Sequence, residues 1–356
     1  MKRILVTDDS VFMRSAISRA LADQADLEVV GKARDGREAV ELAKELRPDV
    51  VTMDIEMPEM DGLTALRRIM REAPTRVLMC STLTSEGSTQ SLQALRLGAA
   101  DIIPKEISPD PKTRQEFLAD LINRVRALGE SQHPARRTGG EAAADLEPAV
   151  ATPVPIPPLN AADYDLLCIA SSTGGPPVLE TILPALPADL RFPVVIGQHM
   201  PRIFTESMAK RLDEICPLKV VHAKHGQKLE PGVVYVAPGG SHTQIHSSRW
   251  SQSRLRIGAE PSDAVYMPSA DVLFGSAAEV YGRRNLAVVL TGIGHDGVKG
   301  AKPLYDARAT ILAQSAATCV VYGMPRAVIE AGFATASLSP DQIAQAVGQL
   351  TARAAA

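Results

Sequence analysis

Residue types that together can break an acyl bond stand in this sequence at the ends of apolar runs. Ser172 follows the run from Leu166 to Ala170, His199 follows Val194 to Gly197, and Asp296 follows Leu286 to Thr291. A serine hydroxyl needs a base to take its proton, and an imidazole in that role needs a carboxylate to orient it. The serine lies in Ser171-Ser172-Thr173-Gly174-Gly175-Pro176-Pro177, where glycines permit a tight turn and proline suits a first helical turn. A hydroxyl is thereby set at a helix N-terminus, where free N–H groups stabilise a bound phosphate or an oxyanion. The segment lacks the lysine and spacing of a phosphate loop and is not a G-x-S-x-G elbow. Alone it reads equally well as a serine cap. His222, His225, His242 and His246 have no such company and read as structural.

A second set is acidic. Asp8 and Asp9 follow Ile4 to Thr7, Asp54 ends the run from Val50, Ser81 follows Val77 to Cys80, and Lys105 follows Ile102-Ile103. Carboxylates brought together repel one another, which favours a hard divalent cation such as Mg2+ held by oxygen ligands. A carboxylate beside a cation, a hydroxyl and a lysine suits the role of phosphoryl acceptor, and Asp54 is the best placed. The plainer reading is that Asp8, Asp9 and Asp61 only cap helices or turns.

Both sets need strands to deliver them. Through Leu128, short apolar runs alternate with amphipathic helical stretches in five strand–helix pairs, the pattern of a doubly wound (βα)5 domain with a parallel sheet covered on both faces. From Glu130 to Asn160 prolines cluster and apolar periodicity stops, which marks a linker. The alternation then resumes, so the fold class is α/β throughout. The expected organisation is 1–128, a linker over 129–162, and a second doubly wound, mostly parallel domain over 163–352. Within the latter, Val233 to Ile257 has period-2 segments that suggest a β-hairpin inserted on the sheet.

Composition narrows the classes. The 356 residues are 45% hydrophobic and 22% charged, with 38 Lys plus Arg against 41 Asp plus Glu, a net charge of -3. No basic field is offered to nucleic acid. Met1 to Ser10 is too short in apolar residues for a signal peptide, and no run approaches a membrane span, so a cytoplasmic chain that is not membrane-inserted is expected. Cys80, Cys168, Cys216 and Cys319 form no metal-binding pair, and the first, second and fourth read as buried small hydrophobes.

The runs VTDDS, VTMDIEMPEMDG, VLMCSTLT and GAADIIPKE resemble a response-regulator receiver domain. The resemblance implies Mg2+ bound by Asp8, Asp9, Asp54 and the backbone carbonyl of Glu56. It further implies phosphorylation of Asp54 by a histidine kinase, sensed by Ser81 and Lys105. Receivers usually place Pro after that lysine; here Pro104 precedes it and Glu106 follows, so this loop should be shaped differently. The runs ASSTGGP, QHMP, VYVAPGGSH, MPSADVLFGSAA, VVLTGIGHDG and AQSAATCVVYGMPRAVIEAG resemble the catalytic domain of the CheB-type protein-glutamate methylesterases. That resemblance implies Ser172 as nucleophile, His199 as base and then acid, and Asp296 as the orienting carboxylate. Ser171 stands where relatives often have Ala, His295 where they have Asn or Ser, and Ile293 where Met is common. The implied activity is hydrolysis of glutamate γ-methyl esters, and deamidation of glutamines, on cytoplasmic helices of chemoreceptors, with no cofactor for the hydrolytic step. An unphosphorylated receiver partly covering the triad, and a monomeric chain, are also implied. The rival reading is a receiver joined to a noncatalytic phosphate- or nucleotide-binding or docking domain.

Overall fold

The computed structural model describes residues 1–82, 84–105, 110–131, 159–248, 251–262 and 264–351. The chain divides into two compact units, Met1–Val150 and Ala151–Ala356.

In the first unit β1 (Lys2–Thr7), α1 (Val11–Ala22), β2 (Leu27–Ala33), α2 (Gly36–Leu46), β3 (Val50–Asp54), α3 (Gly62–Glu72), β4 (Arg76–Thr82), α4 (Ser85–Arg96), β5 (Asp101–Lys105) and α5 (Pro111–Glu130) alternate as expected. The strands form a parallel sheet in the order β2-β1-β3-β4-β5. The helices start where their caps dictate. Asp35 Oδ1 accepts from the N–H groups of Arg37 and Glu38 at 2.9 Å, and Asp61 Oδ1 from Thr64 at 2.7 Å. Asp61 is therefore a helix cap, the plainer of its two readings. The last helix overruns the expected boundary at 128 to reach Glu130, because Leu128 is fully buried and Gly129 lies on the aliphatic stem of Lys2. Most of the expected linker, 132–158, lies outside the described residues, as does the loop after Lys105 at 106–109.

The second unit contains β6 (Leu166–Ser171), α6 (Gly175–Ile182), β7 (Val194–Gln198), α7 (Arg202–Ile215), β8 (Lys219–His222), β9 (Val233–Val236), β10 (His242–Ser248), β11 (Ser251–Gly258) and α8 (Ala270–Tyr281). These are followed by β12 (Asn285–Val289), α9 (Val298–Asp306), β13 (Thr310–Gln314), α10 (Met324–Glu330), β14 (Ala336–Leu338) and α11 (Pro340–Gly348). Seven strands form a parallel sheet, β14-β13-β12-β6-β7-β9-β8. The fold is α/β in both units.

The expected hairpin over Val233–Ile257 is split. Val234, Tyr235 and Val236 are buried, so this run serves as an interior strand of the main sheet rather than a half-exposed one. The hairpin proper is β10–β11, with Ile245 opposite Leu255. Both side chains join Leu273 and Phe274 of α8 in the same core, so the hairpin rides on a helix.

Candidate active site and acidic pocket

The chain runs from β6 to β7, β8 and β9 on one side of the sheet and returns to β12, β13 and β14 on the other. Order therefore reverses at β6, and the crevice beyond its carboxyl end is where such sheets bind ligands. Ser171 ends β6, fully buried, and its hydroxyl donates to Gln198 Oε1. Gln198 Nε2 donates in turn to the Ser172 carbonyl at 2.9 Å. Ser171 is thus committed to the scaffold; Ser172, the next residue of the turn, is buried at 6% exposure. The Ser172 N–H donates to Thr291 O at 3.0 Å, which ties this turn to the segment after β12. Gly174, at φ +79, admits no side chain, since a Cβ there would lie 2.6 Å from Cβ of Val320.

The His199 N–H donates to Ser171 O at 3.0 Å, so the end of β7 is stitched to that of β6. Its ring Nε2 lies 2.8 Å from Asp296 Oδ2, and both side chains are buried. The other ring nitrogen, Nδ1, is buried without a hydrogen-bond partner among the described residues. Asp296 also accepts from Ser269 Oγ at 2.9 Å, from Ala270 N at 2.6 Å and from Asp271 N at 3.0 Å. Its carboxylate therefore sits on the N-terminus of α8, where the helix dipole favours negative charge. Burial pushes this carboxyl up, but the hydrogen bonds from His199 and the α8 backbone outweigh it and hold the pKa at about 2. Asp271 returns the favour: its Oδ1 accepts from Gly297 N at 2.9 Å and Gly300 N at 2.8 Å, capping α9 just past Asp296. Each helix start is held by a carboxylate of the other segment.

Ser269, Asp271, Gln198 and Tyr266 were not singled out by the sequence reading. Ser269-Ala270-Asp271 does read as a helix start, and Ser269 Oγ does accept from Val272 N at 3.4 Å. Nothing local says that this N-terminus points at a carboxylate 26 residues on. His295 is exposed and Ile293 half-buried in the same loop. His222 and His225 have structural partners: His222 Nε2 is 3.1 Å from Thr205 Oγ1, and His225 Nδ1 is 2.9 Å from Ile257 O.

At the corresponding edge of the first unit, Asp8 and Asp54 are buried and Asp9 is exposed, with an oxygen of each within 4.8 Å of the others. Lys105 Nζ bridges Asp8 Oδ2 at 2.7 Å and Asp54 Oδ2 at 2.6 Å. Burial pushes the Asp54 carboxyl up to about 6 against the pull of Lys105. For Lys105, burial works against the charge, but the two carboxylates overcome it and raise its pKa. One ammonium among three carboxylates leaves negative charge and free oxygen donors, a donor set that fits a hard divalent cation. Glu56 is exposed and lines the cleft beside Asp9. Ser81 is turned elsewhere, its hydroxyl donating to Gly87 O in α4 at 3.1 Å.

Residues 167–347 match the family model for CheB methylesterase, and residues 4–113 that for the response regulator receiver domain. A protein-glutamate methylesterase/protein-glutamine glutaminase of Oleidesulfovibrio alaskensis is 43% identical, the match covering 98% of this chain and 98% of that protein. One of Vibrio parahaemolyticus is also 43% identical, over 96% and 97%. The crystal structure of the Thermotoga maritima CheB methylesterase catalytic domain superposes with a TM-score of 0.51 at 38% identity, covering 53% of this chain and 99% of that one. Matches that run nearly end to end take in both units and their order, and on them this chain belongs to the CheB methylesterase family, in the form that carries a response regulator receiver domain ahead of the catalytic one.

Proposed function

We propose that the second unit is a serine hydrolase that removes methyl groups from glutamate γ-methyl esters, and the amide from glutamines, on the cytoplasmic helices of chemoreceptors. The observation that carries this is the buried His199–Asp296 pair at the switch point of the sheet, with the His199 backbone N–H bonded to Ser171 O in the turn that carries Ser172. In this reading Nδ1, the ring nitrogen left free by Asp296, takes the Ser172 proton as Oγ attacks the ester carbonyl. The tetrahedral intermediate collapses, the ester C–O bond breaks, and His199 returns the proton to the departing methoxide as methanol. Water, deprotonated by His199, then hydrolyses the acyl-enzyme to free glutamate and Ser172. Asp296 keeps its negative charge throughout and stabilises the imidazolium. A glutamine follows the same path with ammonia leaving, a slower step because the amine must be protonated to depart. These residues complete the cycle by nucleophilic attack and proton transfer, so no cofactor is assigned to it.

The first unit is proposed as the switch. Asp8, Asp9, Asp54 and the carbonyl of Glu56 would hold Mg2+, which when bound neutralises charge on a transferring phosphoryl group. An Asp54 oxygen attacks the phosphorus of a phosphohistidine on the partner kinase, and the P–N bond breaks. Lys105 then contacts the new phosphoryl oxygens, as does Ser81 once its hydroxyl leaves Gly87 O. The receiver in its unphosphorylated state is proposed to cover part of the active site and to be released on phosphorylation. The protein would act as a cytoplasmic monomer that binds no nucleic acid; among the described residues no helix is long and apolar enough to cross a membrane.

Methanol release from methylated receptor membranes tests both units, with and without a small-molecule phosphodonor. Wild type should respond to the donor, Asp54→Asn should not, and Ser172→Ala should fall by at least about a thousandfold. Full activity in Ser172→Ala would overturn the assignment.

A further inference from the structure

Tyr266 has no place in the chemistry above, yet its ring lies flat on the imidazole of His199, centroids 4.4 Å apart and planes 7° from parallel. It comes from the segment between β11 and α8, where its neighbour Val265 is 88% exposed. Its hydroxyl lies against Gly294, where a Cβ would come within 3.1 Å of the phenol oxygen. One ring therefore reaches from the base to the loop that carries Asp296. Gly294, at φ +81, is the residue that leaves room for it.

A hydrogen bond at Nε2 holds one atom of the imidazole and leaves the plane free to rock, and the direction of Nδ1 rocks with it. A flat partner resists that motion, because any tilt drives a ring edge into the phenol. The contact also changes during the reaction. A neutral imidazole gains only dispersion from the aromatic face, whereas the imidazolium formed as Ser172 loses its proton gains a cation–π attraction. An interaction stronger in the transition state than in the ground state raises kcat without changing substrate affinity.

We propose that Tyr266 is a positioning residue for His199, its aromatic face holding the imidazole plane so that Nδ1 is presented to Ser172 and favouring the ring once it is charged. This rests on the serine-hydrolase reading and adds to it a residue that acts through His199.

Two readouts on the full chain test it: the rate at which a fluorophosphonate labels Ser172, and the kcat and KM of methanol release. Tyr266→Leu should lose about tenfold in labelling rate and in kcat with KM changed less than about twofold, the size of a modest cation–π and ordering effect. Tyr266→Phe and Tyr266→Trp, which keep a flat face, should retain both rates within about threefold. Tyr266→Met, ringless but longer, stands in if the leucine variant melts early. Undiminished labelling in the ringless variants would overturn the proposal, as would a phenylalanine variant as slow as the leucine one, or a raised KM at unchanged kcat. A wild type that fluorophosphonate does not label would sink the serine-hydrolase reading itself, a failure visible before Tyr266 is touched.

Discussion

At the scale of the residue, the site works by committing some groups so that others are free. Ser171 spends its hydroxyl on Gln198, which is consistent with the proposal that Ser172, not Ser171, is the nucleophile. Cys80, Cys168 and Cys319, pushed up to about 12 by burial, remain neutral thiols and do not compete. Asp296 is held at about 2, below its ordinary 3.8. The unfolded chain takes up that proton first, so the stability this group contributes is complete above its unfolded pKa, and it is lost as pH falls from about 4 toward 2. The amount is on the order of 2 kcal/mol. Asp296→Asn should therefore show a smaller drop in melting temperature between pH 5 and pH 3 than wild type. Parallel drops in the two proteins would contradict the assignment of that charge.

At the scale of the element, strand ends supply the groups and helix starts hold them. The turn after β6 packs on the segment after β12 so closely that a Cβ at Gly292 would lie 2.7 Å from that of Ser172, with Met324 Sδ pressed on its other side. A side chain there must push Ser172 off its place, and a misplacement of a reacting group by an ångström costs about a hundredfold in rate. Gly292→Ala is expected to lower kcat by roughly 10- to 100-fold while costing about 1–3 kcal/mol of stability, an overpacking penalty. Kinetics and thermal melts on the same preparation separate the effects; a variant with full kcat would mean that the turn moves without consequence. The α8 and α9 N-termini, held by Asp296 and Asp271, keep the same loop from the opposite flank.

At the scale of the whole molecule, each unit has its own parallel sheet and its own apolar core. Such bodies fold separately, and Ser172, His199 and Asp296, the proposed acyl-transfer groups, all lie in one of them. Residues 141–356 expressed alone should thus fold, label at Ser172 and release methanol without a phosphodonor. If the receiver restrains the active site, the fragment's basal rate should exceed that of the unphosphorylated full chain severalfold. A fragment no faster than the intact protein would count against that restraint while leaving the hydrolase intact.

Strand and helix order, the doubly wound class, and the placement of Ser172, His199, Asp296, Asp8, Asp54 and Lys105 at strand ends were legible in the sequence. Apolar periodicity and turn residues are local patterns, and a parallel sheet sends every strand end to one edge. Local patterns misled at boundaries: VVYV was grouped with the period-2 region that follows it but is an interior strand of the main sheet, and α5 continues past its expected end because Gly129 meets Lys2 across the fold. Only the tertiary structure decided that the Ser171 hydroxyl is spent on Gln198, that Asp296 rests on the start of α8, that Ser81 faces α4, and that Tyr266 lies on His199. Each is a contact between side chains or loops whose meeting depends on how separate turns pack, and no periodicity along the chain records that.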